Sequence, residues 1–248
     1  MEILLGFLIA MCIGLTGVGG GVITAPVLTL FLGMAPAEAV GTALIFSSVV
    51  KLGLAPLYLG RKQVNFRVLA FLLAGGLPGV TLGSLLMSHL STGGKGPLLA
   101  LLGLTVVATA LLNLFRVTYN RPGSVQRDHT RWLPLIAFPI GAEVGFSSAG
   151  AGALGSLALM LLTPISTAEV IGTDVCFGLG LSLAGGGIHF STGAYAGAVA
   201  LKMIAGGLVG GFVGANLSAL LPSRPLRVAL SLWLISLGGQ LCWRAAVG

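Results

Sequence analysis

The stretch "GLTGVGGGVITAPVL", residues 14–28, places five glycines in its first eight positions. The arms on either side, Ile3–Ile13 and Val22–Met34, are apolar, and each is about half a membrane long at ~1.5 Å per residue. Glycine is the poorest helix former apart from proline, so the cluster predicts two half-helices joined by an unwound turn. Irregular backbone at membrane depth is tolerated only where it lines a cavity or is buried in protein. The NH groups that open the second half-helix would then direct the positive end of a helix dipole into that cavity, with no side chain blocking approach. This is an anion site in its simplest form. A competing reading is that the glycines only let helices pack closely, as small residues do in membranes. That reading suits Gly75, Gly76, Gly79 and Gly83 better. A dinucleotide fingerprint does not fit, because Val22 stands where the third glycine belongs and no strand or acidic ribose partner is in sight.

The rest of the chain agrees with a membrane setting. Of 248 residues, 56% are hydrophobic and 8% charged, with a mean hydropathy of +1.04, whereas a soluble domain carries about 25% charged residues. An all-α polytopic membrane protein follows, with the lipid bilayer as its surroundings. The net charge of +7 is read by where the basic residues sit, mostly between apolar segments, and it does not imply nucleic acid. The N-terminus lacks a basic n-region and a convincing cleavage site, so the first apolar segment is expected to stay. Cys12, Cys176 and Cys242 lie far apart in apolar runs, which excludes a CxxC pair or a zinc pattern and reads as small buried hydrophobes. Nothing calls for a cofactor or a metal.

Apolar segments run over 3–32, 38–58, 68–90, 97–115, 132–162, 168–189, 198–221 and 226–243. Six have the length needed to cross a hydrocarbon core about 30 Å thick, and the first and fifth are too long. The polar interval "RVTYNRPGSVQRDHTR", 116–131, divides two halves, 1–115 and 132–248. These are copies at an offset of 131: Gly14/Gly145, Gly19/Gly150, Gly21/Gly152, Glu38/Glu169, Gly41/Gly172, Thr42/Thr173, Phe46/Phe177, and on through Gly75/Gly206 to Gly83/Gly214 without a gap. The duplication maps the first glycine cluster onto "GFSSAGAG", residues 145–152. The expected site therefore takes Thr16, Gly17, Gly19, Gly20 and Gly21 from one half and Ser147, Ser148, Gly150 and Gly152 from the other. Gly17–Gly21 and Ser147–Gly152 are expected to be non-helical and to face each other across a central cavity. Ser47 and Ser48, after "GTALIF", are further candidate hydroxyl donors.

The order of these motifs, a glycine-rich break, "GMAPAEAVGTALIFSS", a basic "GRKQVNF" turn and "AGGLPGVTLGSLL", repeated in a second half, resembles the sulfite exporter TauE/SafE family of anion permeases. The resemblance covers almost the whole chain. It implies a plasma-membrane transporter for sulfite, sulfonates or another sulfur-containing or organic anion. The second half departs from the pattern, with fewer glycines in "GFSSAGAG" and "TPIS" in place of "GMAP", so the two half-sites are not expected to be chemically equivalent.

Ionisable residues inside spans are costly and usually face a cavity or a partner. Lys51, Glu143, Asp174 and His189 are the candidates. Glu38 and Glu169 read as first-turn acids that complement helix dipoles. His189 reads as interfacial, and Lys202 as a side chain that snorkels to the interface. A carboxylate at Asp174 either titrates or meets a cation, and Lys51 is the obvious partner, so the two are expected at ion-pair distance. Glu143 stands just before the second glycine turn as a protonatable group or a carboxyl held neutral by a hydrogen bond.

If the first and fifth segments are re-entrant, each half has three spans and the halves are inverted; if all eight segments span, the halves are parallel. Either topology leaves nine basic residues on one side and three on the other, so the positive-inside rule does not choose. Inverted helices bring Asp174 to the depth of Lys51 within about 3 Å, and parallel ones leave about 12 Å, which favours inverted repeats. The function expected is a secondary anion transporter, possible proton coupling included. The alternatives are an anion channel, which would want a continuous polar lining, or a non-transporting scaffold. The sequence offers no HExxH and no serine beside an acid–base partner, against an enzyme.

Overall fold

The computed structural model describes residues 1–16, 21–90, 95–119, 128–217 and 223–247. Every regular element among them is helical. Two short helices, α1 (Glu2–Thr16) and α2 (Gly21–Phe31), precede α3 (Pro36–Gly60), α4 (Phe66–Leu90) and α5 (Lys95–Tyr119). A 3₁₀ turn, Thr130–Trp132, leads into α6 (Leu133–Ser147), a π-helical turn (Ala151–Gly155) and α7 (Ser156–Leu162). Three long helices follow: α8 (Thr167–Ser191), α9 (Gly197–Leu217) and α10 (Ser223–Val247). Six of these helices are long and apolar enough to cross a membrane: α3, α4, α5, α8, α9 and α10. At 25 residues, α3 is about 37 Å long and spans the core with room to tilt. With 15 and 11 residues, α1 and α2 are each too short to cross alone. Large side chains such as Leu82, Leu86, Leu201 and Phe212 are exposed on the outer surface, where lipid is their natural solvent.

Helix boundaries recur at a fixed offset: Glu2–Thr16 answers Leu133–Ser147, and Pro36–Gly60 answers Thr167–Ser191. Contacts recur too. A Cβ on Gly75, Gly79 or Gly83 of α4 would strike the carbonyls of Pro134, Phe138 and Ala142 on α6. On α9, Gly206, Gly210 and Gly214 stand in the same relation to Ile3, Phe7 and Met11 of α1. Small residues allow this backbone approach, which maximises dispersion contact where no hydrophobic drive separates helix from lipid. These contacts fix directions. Contacts advance together along α1 and α9, and Phe46 and Val50 of α3 meet Gly207 and Gly211 of α9, so α1, α3 and α9 point the same way. By contrast, Gly41 near the start of α3 meets His189 near the end of α8, and Leu44 meets Gly185, so α3 and α8 are antiparallel. Because α1 and α3 share a direction, α2 runs back between them.

Loops are closed by specific caps. Ser166 and Glu169 form a reciprocal capping box at the start of α8. The Asn65 and Ala196 amides donate to Thr173 and Thr42 at 3.0 and 2.9 Å, each tying a loop to a helix of the opposite half. Before α6, the Thr130 amide and hydroxyl both donate to Asp128, which holds that exposed carboxyl below its usual range.

Candidate functional site

The second glycine cluster forms a short break. Ser147 ends α6, Ser148 adopts a left-handed conformation with φ of 56°, and Gly150 has φ of +93°, where a side chain would be strained. The expectation that Ser147–Gly152 is non-helical is therefore corrected: Ser147 is helical, and Gly152 lies within the π turn. Gly21 likewise opens α2 as a helical residue, since helical backbone leaves fewer polar groups unpaired at membrane depth than irregular backbone does. Gly17, Gly19 and Gly20 lie outside the described residues, and Thr16 is described only as the last residue of α1. The Ser147 hydroxyl donates to the Glu143 carbonyl at 3.1 Å and accepts from the Ala149 amide at 3.2 Å, pinning the start of the turn.

A narrow cavity sits beside this turn, lined by Ile13 of α1, Lys51, Leu54 and Tyr58 of α3, Gly152 of the π turn, and Asp174 and Val175 of α8. Lys51 is 6% exposed and Asp174 3%. A Cβ on Gly178 would stand 2.6 Å from the Lys51 amine, so the cation lies against bare α8 backbone one turn beyond Asp174. Asp174 accepts a hydrogen bond from Ser156, the first residue of α7, at 2.7 Å. Lys51 and Asp174 thus share one cavity, with the carboxylate also held by the helix that follows the break.

Of the paired serines, Ser48 returns its hydroxyl to the Ile45 carbonyl at 2.8 Å, whereas the Ser47 hydroxyl is buried with no partner in the structure. Glu143 packs behind the turn: a Cβ on Gly150 would be 2.8 Å from one carboxyl oxygen, and the other meets the Thr109 hydroxyl of α5. The interfacial reading of His189 is corrected. The ring is fully buried beneath Gly41 and the Ala194 carbonyl, because the antiparallel start of α3 covers that end of α8. Lys202 is half exposed and paired with Glu2 at 3.0 Å. The three cysteines form no disulfide among the described residues and are half-buried, less enclosed than expected. Reading the sequence missed Tyr58 and Leu54, although they follow Lys51 at seven and three residues on one helical face. It also missed Ser156 and Thr109, which carry no local signal.

The break thus sets a buried lysine and a buried aspartate beside a glycine turn, and comparison with known proteins gives the family. The sulfite exporter TauE/SafE family model matches residues 2–241. The chain belongs to this family. It is therefore a multi-pass cell-membrane protein of a transporter family. Relatives include "Probable membrane transporter protein YjnA" of Bacillus subtilis (strain 168), 28% identical over 92% of this chain and 94% of that one. A "Probable membrane transporter protein" of Haemophilus influenzae is 28% identical over 86% of this chain and 82% of its own. No solved structure matches at a significant level.

Proposed function

We propose that this protein is a secondary transporter for a small anion, with sulfite, sulfonates and other sulfur-containing or organic anions as the substrate class. The carrying observation is Lys51: a buried amine at membrane depth, lining a cavity with the glycine turn. A cation there is expensive unless it meets a countercharge, and a substrate anion supplies one in addition to Asp174. The cavity is interrupted by apolar Ile13, Leu54 and Val175, which suits occlusion of one substrate better than a continuous conducting lining. We read Lys51, Ser47, Gly152 and the backbone of the break at 148–150 as the substrate site, with Ser147 pinning the turn; Thr16 and Gly17–Gly21 remain candidates by their position in the repeat, and Ser48 by its place beside Ser47.

The scaffold we propose is two inverted repeats, 1–115 and 132–248, joined by the basic linker 116–131. Support comes from the recurring boundaries and glycine contacts, and from the antiparallel run of α3 against α8. The pairs α1–α2 and α6–α7 then enter and leave on one side as re-entrant hairpins, and the six long helices span. Arg61, Lys62, Arg67, Arg116, Arg121, Arg127, Arg131, Arg224 and Arg227 fall on the cytoplasmic side, against Lys95, Lys202 and Arg244.

The test is flux of labelled sulfite and alkanesulfonates in proteoliposomes. Lys51→Met should weaken anion affinity by about 100-fold or more, as removal of one partner from a buried ionic contact costs about 3–5 kcal/mol. Adding Asp174→Asn should recover protein stability but not anion affinity. Unchanged affinity in Lys51→Met would remove the site.

A further inference from the structure

The Glu143–Thr109 contact raises a question of hydrogen count. The Thr109 hydroxyl reaches two acceptors, the Thr105 carbonyl at 2.8 Å and a Glu143 carboxyl oxygen. A hydroxyl has one hydrogen. When that hydrogen goes to Thr105, the contact with Glu143 needs a proton on the carboxyl; when Glu143 is ionised, Thr109 must turn its hydrogen away from Thr105. The surroundings choose between the two. Besides Thr109 of α5, Gly150 of the break faces this carboxyl. On α8, Asp174 is engaged with Ser156, and His189 is beneath Gly41; Cys176 and Glu169 are the other titratable groups there. On α4, Arg67 and His89 sit at the two ends, Arg131 precedes α6, and Lys95 and Arg116 lie toward the ends of α5. Among the described residues no cation forms an ion pair with Glu143. A carboxylate at membrane depth with one neutral donor is costly, and taking a proton removes that cost.

We infer that Glu143 holds a proton in this conformation, donating it to Thr109, and that this proton moves with the transported anion. The inference rests on the anion-transport reading above and specifies its coupling. Glu143 touches one face of the turn at Gly150, and Gly152 of the same turn lines the anion cavity. An anion on the turn and an ionised Glu143 repel each other, so bound anion and bound proton favour one another, and linkage makes the effect reciprocal. In one cycle the Glu143 O–H bond forms with a proton from water on the entry side. It breaks to water on the exit side, so one proton and one anion cross together.

The glutamine variant Glu143→Gln keeps the shape and, like the protonated acid, can donate to Thr109. It is expected to fold and to exchange anion across vesicles at equal pH. A labelled alkanesulfonate is the probe, since its own charge is fixed over the working range. Wild-type affinity should fall by up to about tenfold per pH unit once Glu143 ionises, one proton per anion. In Glu143→Gln that slope should vanish, and a pH gradient should no longer drive uptake. Infrared spectra provide a reading without transport: wild type at neutral pH should show a protonated-carboxyl C=O stretch that is missing in Glu143→Gln and displaced in Thr109→Val. An unchanged pH slope in Glu143→Gln overturns the coupling, and absence of the band in wild type overturns the bound proton. If wild type moves neither sulfite nor alkanesulfonate, the transport reading fails while the infrared result still decides the proton.

Discussion

Ser47 and Ser48 are adjacent in sequence, yet the structure separates them. Ser48 satisfies itself on the Ile45 carbonyl, whereas Ser47 buries an unpartnered hydroxyl one helical turn before Lys51. An unpaired buried hydroxyl carries a desolvation cost of about 1–3 kcal/mol, which a substrate oxygen would relieve. Ser47→Ala should therefore raise the thermal stability of the empty protein and weaken anion affinity, while Ser48→Ala changes both little. Equal effects of the two substitutions in a melting and binding series would return Ser47 to simple packing. The sequence announced Lys51, Asp174 and Glu143 because charge in an apolar run is conspicuous. It was silent on Thr109 and Ser156, which are ordinary membrane residues until the fold brings them against those carboxyls.

At the scale of the element, glycine has two different duties. Gly79 and Gly210 let α4 and α9 close onto α6 and α1, and any Cβ there meets backbone. Gly187 and Gly239 are helical, and a Cβ at either would find nothing within 4 Å. Alanine improves helix propensity by about 1 kcal/mol at all four, so the sign of the stability change reads the contact alone. Gly79→Ala and Gly210→Ala should destabilise in detergent melting; Gly187→Ala and Gly239→Ala should be neutral or stabilising. Loss of the Ser166 cap by Ser166→Ala should cost about 1 kcal/mol, since its hydroxyl and Glu169 satisfy each other's backbone donors. The half-helices were legible from glycine clustering and arm length. The π turn was not: composition predicts where a helix breaks, but the number of residues needed to rejoin it depends on what Ser156 and Asp174 hold together.

At the scale of the molecule, the proposed duplication rests on sequence spacing, which carries no direction, because two parallel and two inverted copies share the same spacing. Direction became visible only in contacts between halves, above all Gly41 with His189 and Leu44 with Gly185 along α3 and α8. The same covering explains why His189, near a helix end in sequence, is fully buried. The proposed inverted arrangement makes a sharp prediction at Arg61 and Thr192, which follow α3 and α8 and are both exposed. With Cys12, Cys176 and Cys242 replaced by serine or alanine, Arg61→Cys and Thr192→Cys should react with a membrane-impermeant thiol reagent from opposite faces, Arg61→Cys from the cytoplasm. Parallel halves would put both on one face, as α3 and α8 would then cross in the same sense. Labelling of both from one side would also dissolve the re-entrant reading of α1–α2, since four crossings per half would then be required to bring the second half back in register.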